Sequence, residues 1–79
     1  MSKNKRQQLK REAAQALHNL DRAGQEIYTL HQHFAPVHPE HAQYLMLIAQ
    51  SIKVIYDMIL DFWDHSWGPH PDNIEAYRR

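Results

Sequence analysis

The chain has no cysteine, only two glycines, and no excess of charge of either sign. The lack of cysteine excludes disulfide bonds and thiolate metal sites, and no glycine-rich phosphate-binding loop is present. Lysine plus arginine and aspartate plus glutamate number nine each, so net charge alone indicates no nucleic-acid or membrane partner. The basic first residues lead into no apolar segment of the kind that a secretory signal needs, and we therefore expect a cytoplasmic protein.

Long uncharged apolar runs are also missing, which argues against a membrane span. The central apolar stretch, residues 42–65, contains Lys53, Asp57 and Asp61, and each of these would be costly at the centre of a bilayer. The flanking rows of the stretch are largely apolar too, so a helix here needs cover from several sides. Its main row has spacings of three and four and consists of Leu45, Ile48, Ile52, Ile55, Ile59 and Phe62.

The first half of the chain carries a second heptad pattern, which predicts a helix that packs against another helix. Leu17, Gly24 and His31 flank this pattern on one side. Small residues in and beside it would let a second helix approach closely, which would explain Gly24 despite its low helix propensity. The seam itself consists of Leu9, Ala13, Ala16, Leu20, Ala23, Ile27, Leu30 and Phe34.

Two prolines separate the two patterns and predict a helical hairpin. Pro36 and Pro39 interrupt the helix, and Pro39 suits the first turn of the next one. Asp72 and Glu75 have the spacing of a capping box, which is typical of a short helix, although a loose tail is the alternative. We expect one all-α domain, an antiparallel two-helix hairpin with a short C-terminal helical turn. The predicted segments are a helix over about residues 5–34, a turn at 35–38, a helix over about 39–66, and the tail or short helix at 72–79.

So short a chain buries little core by itself, and without disulfides the expected remedy is oligomerisation. After the hairpin forms, Tyr44, Leu47, Val54 and Met58 on the second helix still need cover. A second copy is the simplest cover, because two hairpins packed about a twofold axis give a homodimeric four-helix bundle. The alternative is that a different protein covers these four residues.

Four of the seven histidines, His31, His33, His38 and His41, cluster around the predicted turn. Imidazoles in such number are candidate ligands for zinc, nickel or copper. The spacings are looser than those of structural zinc sites, and Glu40 is the one carboxylate nearby. We therefore interpret them as polar residues on an exposed turn, and we expect no metal and no cofactor.

The acidic row of Asp57, Asp61 and Asp64 is interpreted as a solvated helix face. Paired carboxylates can perform acid–base chemistry, but they need a pocket and a perturbed pKa, and a two-helix chain offers no obvious cleft. The chain also lacks a nucleophilic cysteine and a Ser/His/Asp arrangement in strand–turn context. We expect a protein that is not an enzyme.

Aromatic and acidic residues gather near the open end of the predicted hairpin. Two tryptophans within five residues, close to arginines, have the chemistry of a binding hot spot. The alternative is that Trp63 and Trp67 close the end of the bundle, as small bundles need such plugs. The candidate partner-binding residues are Asp61, Trp63, Asp64, Trp67 and Tyr77.

A basic cluster at the start of the first helix provides a second candidate site. In the hairpin it would lie beside the acidic end of the second helix, which would offset its charge. These side chains could instead contact phosphates. We therefore expect a small non-enzymatic protein–protein interaction or regulatory module, of the adaptor or inhibitor type, with a nucleic-acid-associated protein as the alternative. The residues of that alternative are Lys3, Lys5, Arg6, Lys10 and Arg11.

Overall fold

The computed structural model describes residues 3–79, with side chains from residue 5 onward. The chain forms helix α1 at Lys3–Phe34, helix α2 at Pro39–Trp67 and a C-terminal 3₁₀ helix at Ile74–Arg78, with no strand in this part of the chain. The two long helices pack side by side in a hairpin of 54 × 22 × 19 Å. This confirms the predicted all-α hairpin with a short C-terminal helical turn. Neither long helix, over the residues described, has a segment of the length and apolarity that a membrane crossing requires.

The turn between the helices and the end of α2 lie close to the predicted positions. The N–H of His38 donates to the carbonyl oxygen of Phe34 at 2.7 Å and closes the turn. Pro39 then occupies the first turn of α2, where its missing N–H has no intrahelical partner to lose. α2 ends at Trp67 and is capped by Gly68, whose N–H donates to the carbonyl oxygen of Asp64 at 3.1 Å and whose φ of +93° favours glycine.

The contact between α1 and α2 is centred on rows that flank the heptad seams, and it includes seam residues such as Ile52. On α1 it follows the flanking row of Leu17 and Gly24, and a Cβ on Gly24 would lie 3.6 Å from Cγ2 of Ile52. On α2 it follows a row spaced by whole heptads that includes Ala42 and Trp63. The buried core of the described residues is small and consists of Ala14, Leu17, Ala42 and Trp63.

Residues 68–79 fold back along one side of the hairpin. Ile74 lines a hollow there together with Leu17 of α1 and Leu60 of α2, and the 3₁₀ helix packs on α1. The predicted capping box does not form, since Asn73 is the N-cap residue and makes no side-chain capping bond. The carboxylate of Glu75 binds to other side chains instead.

The opposite side of the hairpin carries the exposed residues of both heptad seams. In α1, Gln15 and His18 hold the C-terminal segment, and at 100° per residue the seam lies on the far side of the helix from them. In α2, the row of Ile55 lies on the far side from Leu60, which lines the hollow under that segment. We call the exposed large apolar residues of this side the two-helix face: Leu9, Leu30, Phe34, Ile48, Ile55 and Phe62.

Candidate interaction surfaces

The aromatic residues at the open end form an internal plug. Trp63 is only 2% exposed, and its ring makes edge contacts with Trp67 and Tyr77 at centroid distances of 4.9 and 5.1 Å. The Nζ atom of Lys10 lies over the rings of Trp67 and Tyr77, at 5.9 and 5.7 Å. Trp63 therefore serves the interior of the hairpin, and of the two interpretations drawn from the sequence the structure favours the plug. Phe62, which packs on Trp67 at 5.5 Å, stays exposed on the two-helix face.

Asp64 holds the beginning of the C-terminal segment. Its Oδ1 atom accepts a hydrogen bond from the backbone N–H of His70 at 2.8 Å and lies 2.7 Å from His70 Nδ1. The His70 side-chain bond, followed by the backbone bond, holds the pKa of the Asp64 carboxyl below its ordinary value. This carboxylate is therefore occupied within the chain, although sequence analysis placed it among the partner-binding residues.

A second set of contacts ties the 3₁₀ helix to α1. Oε1 of Glu75 lies 2.7 Å from Nδ1 of His18, and Oε2 accepts from Arg78 Nη1 at 2.7 Å. The bond from Arg78, and then that from His18, lowers the pKa of the Glu75 carboxyl. Arg78 Nε in turn donates to Oε1 of Gln15 at 3.2 Å. Sequence analysis did not predict the contacts of His18 with Glu75 and of Gln15 with Arg78, because these partners are 57 and 63 positions apart and no local pattern links them.

The other acidic residues of α2 face outward. Asp57 pairs with Lys53 of the preceding turn at 3.0 Å, and both side chains are largely exposed. Asp61 is exposed, and His65 Nδ1 bonds to its backbone carbonyl oxygen at 2.9 Å. A solvated face is therefore the better description of this row.

The basic cluster does not pair with the acidic end of α2 as the sequence suggested. Lys10 is used by the aromatic plug, while Lys5, Arg6 and Arg11 are exposed. Within the described residues, no salt bridge joins these three side chains to a carboxylate. The side chain of Lys3 lies outside the described residues. Lys10 thus lies at the end of α2, as expected, but over aromatic rings, and Lys5, Arg6 and Arg11 are exposed to solvent.

The four histidines near the turn are not arranged around a common point. His38 and His41 stack at a centroid distance of 5.5 Å, and His31 stacks on Tyr28 at 6.1 Å. His33 lies on the outer side of α1 near Arg22 and Leu30. From residue 5 onward, the structure contains no group of three or more histidine, aspartate or glutamate side chains placed to hold a metal ion.

The outer side of α2 carries an exposed apolar row, which we call the α2 stripe: Tyr44, Leu47, Val54 and Met58. These side chains are 58–67% exposed, more than those of the two-helix face. Tyr44 and Leu47 also line an open hollow with Glu40 and Gln43 beside the turn. The sequence predicted that this row needs cover, and the hairpin itself does not supply it. Comparisons with protein families, with curated proteins and with solved structures find no match to this chain.

Proposed function

We propose that this chain is a small non-enzymatic protein–protein interaction module of the adaptor or inhibitor type. It works as a helical homodimer in the cytoplasm and docks on a larger protein. The observation that carries the proposal is the α2 stripe, because its large apolar side chains project from a helix whose other side already packs on α1. Contiguous exposed apolar surface of this kind marks protein interaction sites, and a helix presents it at spacings of three, four and seven.

The docking surface that we propose is the α2 stripe, and the aromatic plug is not its centre. Trp63 and Asp64 already have partners within the chain and hold α2 in place from its inner side. The residues that contact the larger protein are then those of the α2 stripe. Asp61 remains exposed one helical turn beyond Met58 and extends the surface with a negative charge. Trp67 and Tyr77 are half-buried and contribute their remaining exposed edges.

The test is affinity capture from the organism that encodes the chain, with chemical crosslinking and quantitative mass spectrometry. Wild type is compared with the Leu47→Lys, Val54→Lys double variant, which places two charges in the α2 stripe. Gln50→Lys is the control for an added charge elsewhere on the helix, because Gln50 is an exposed polar residue of α2. We expect one protein to be captured by wild type and control and depleted at least about tenfold with the double variant. Identical capture by all three proteins would contradict the proposal.

The alternative function, nucleic-acid association, has one observation in its favour. Lys5, Arg6 and Arg11 project from the start of α1 with no carboxylate against them in the described residues. Three phosphate contacts would make the logarithm of the affinity fall with the logarithm of salt concentration with a slope of about −3. The test is fluorescence anisotropy with a labelled DNA duplex over a salt series. Binding that weakens with Arg6→Gln and Arg11→Gln supports this function, and no binding at low salt excludes it.

A further inference from the structure

We propose that the two-helix face is where a second copy of this chain packs, and that the α2 stripe stays at the outer edge of the dimer. This inference rests on the homodimer proposed above. It places the dimer contact on different residues from the four that the sequence indicated. Those four are then left free for the larger partner, so one hairpin has separate surfaces for the two occupants.

The first support is the area that the single chain leaves exposed. Its accessible surface is 6116 Å² at a mass of 9.4 kDa. Compact monomers of this mass expose about 5,000 Å², so the hairpin has an excess of about 1,100 Å². A stable interface removes about 800 Å² from each partner. Burying one face against a second copy would therefore remove most of the excess.

Shape gives the same indication. The radius of gyration of the Cα atoms is 15.8 Å, whereas a compact domain of this length has about 12 Å. The hairpin is 54 Å long but about 20 Å across in the other two directions. A second hairpin laid along the same length would double one short dimension and give the proportions of a four-helix bundle.

The composition of the two-helix face suits a second copy better than a charged partner. The α1 seam from Leu9 to Phe34 and the α2 row from Leu45 to Phe62 contain no charged residue. A twofold axis brings equal surfaces together, so a face without charge can meet itself without like charges opposing each other. Depletion of charge is also typical of the buried centre of an interface.

The sizes of the side chains on this face also suit the packing of one hairpin on another. Ala13, Ala16 and Ala23 leave the middle of the α1 seam low, whereas Ile55 and Phe62 stand out on the neighbouring part of α2. Helices pack with the ridges of one in the grooves of the other, and small side chains leave room for large side chains of the facing helix. The other side of the hairpin is occupied near its open end by residues 68–79, so this face is the one left free along its whole length.

Adjacent residues of α2 separate the two surfaces. Ile48 and Ile55 belong to the two-helix face at 44% and 46% exposure, and their neighbours Leu47 and Val54 belong to the α2 stripe at 60% and 58%. Successive helical residues are 100° apart, so each neighbour points along a different side of the helix. The two pairs are both aliphatic, lie on the same helix and are matched in position along the axis. Exposure alone would predict that the more exposed pair matters more, and the present proposal predicts the reverse.

The experiment is sedimentation equilibrium of the full chain over a concentration series. We expect wild type to approach twice the chain mass, and Ile48→Lys and Ile55→Lys each to raise the dimer Kd at least about tenfold. We expect Leu47→Lys and Val54→Lys to leave the dimer Kd within about threefold of wild type, since rim charges weigh little. A wild type that stays monomeric, or equal losses in the two pairs, would overturn the assignment.

A second measurement covers the case in which the lysine variants unfold. Because the chain has no cysteine, Ile55→Cys and Val54→Cys each create a single thiol. We expect the rate of labelling by a maleimide to fall at least about tenfold for Ile55→Cys when the protein is concentrated enough to dimerise. The rate for Val54→Cys stays constant, and a reversed pattern would place the second copy on the α2 stripe. Capture of the larger partner is measured separately, so a monomeric wild type would leave the docking proposal to its own test.

Discussion

Nδ1 of His18 lies 2.7 Å from Oε1 of Glu75, and this contact joins residues that are 57 positions apart. Within the described residues, this pair links a carboxylate of the 3₁₀ helix to α1. Together with the bond from His70 to Asp64, it ties residues 68–79 to both long helices. These residues cover Trp63 through the ring of Tyr77. The stability of the C-terminal segment and that of the aromatic plug are therefore connected.

We call the polar contacts that hold residues 68–79 on the two long helices the C-terminal clasp. The two carboxylates of this clasp predict a loss of stability in acid. The pKa values of Asp64 and Glu75 are lowered from ordinary values of 3.8 and 4.5, so the folded state holds protons less tightly than the unfolded state. Their contribution is complete above the ordinary values and is lost as pH falls through the lowered folded values. We expect the urea midpoint of wild type to decline below about pH 4.5, as followed by circular dichroism.

The double variant Asp64→Asn, Glu75→Gln is the control for this prediction. It retains the shape of both side chains but cannot titrate, so its midpoint should be lower at pH 7 and should fall less between pH 5 and pH 3. The remaining carboxylates cause the decline that both proteins share. Parallel pH profiles for wild type and the double variant would show that the clasp does not contribute.

Replacement of Trp63 by alanine should be the most destabilising single change in the aromatic plug. The side chain is buried against Trp67 and Tyr77, and its removal leaves a cavity. Buried tryptophan-to-alanine changes cost about 3–5 kcal/mol in the free energy of unfolding, measurable by urea titration. Tyr44→Ala removes an exposed aromatic ring from the same helix, and we expect it to change stability by no more than about 0.5 kcal/mol. Equal effects would mean that Trp63 is not packed as described.

Gly24→Ala should stabilise the chain. Sequence analysis gave Gly24 a packing reason, but a Cβ there would meet Ile52 Cγ2 at 3.6 Å, an ordinary van der Waals contact. Alanine in a helix interior is favoured over glycine by about 0.5–1 kcal/mol, and the thermal midpoint should rise accordingly. The reciprocal variant Ala23→Gly should lower it by a similar amount. A lower thermal midpoint for Gly24→Ala would indicate that the added Cβ lies closer to Ile52 than 3.6 Å.

The other glycine should respond in the opposite direction. Gly68 has a φ of +93° and a ψ of −177°, a region that side chains with a Cβ rarely adopt. Nothing lies within 4 Å of the position of an added Cβ, so the cost of Gly68→Ala is conformational and not steric. We expect a loss of about 1–3 kcal/mol in the same thermal or urea measurement. An unchanged stability would mean that the end of α2 adopts another backbone conformation.

The elements of this fold could be predicted because short-range chemistry determines them. Pro36 and Pro39 break the helix by removing N–H groups and restricting the backbone, and Gly68 ends α2 through its positive φ. Heptad spacing identified two amphipathic helices with apolar residues on most of the α2 circumference. None of these inferences depends on contacts between distant parts of the chain.

The side on which the helices meet could not be predicted, because both helices have more apolar surface than one contact can use. The row of Leu17 and Gly24 competes with the α1 seam, and the structure uses the former.

The candidate site was predicted in part. The need for cover at Tyr44, Leu47, Val54 and Met58 followed from periodicity, and these residues are exposed in the structure. Two interpretations of the aromatic end stayed open, a binding hot spot and an internal plug, because both have the same amino-acid composition. Only the position of residues 68–79 distinguishes them, and that position depends on pairs such as Gln15 with Arg78, which no sequence pattern marks.

Repeating apolar rows would allow two helices to slide past each other and still bury comparable side chains. Displacement by one helical turn moves a residue about 5.4 Å along the axis. The C-terminal clasp holds Gln15 and His18 on α1 and Asp64 on α2 at once, with contacts of 2.7–3.2 Å. If the helices slipped, the C-terminal segment could keep its contacts with one helix but would lose those with the other. The clasp therefore selects a single alignment among several whose buried apolar surface is nearly equal. A few polar contacts thus fix the alignment of α1 and α2, which the small apolar core alone does not determine.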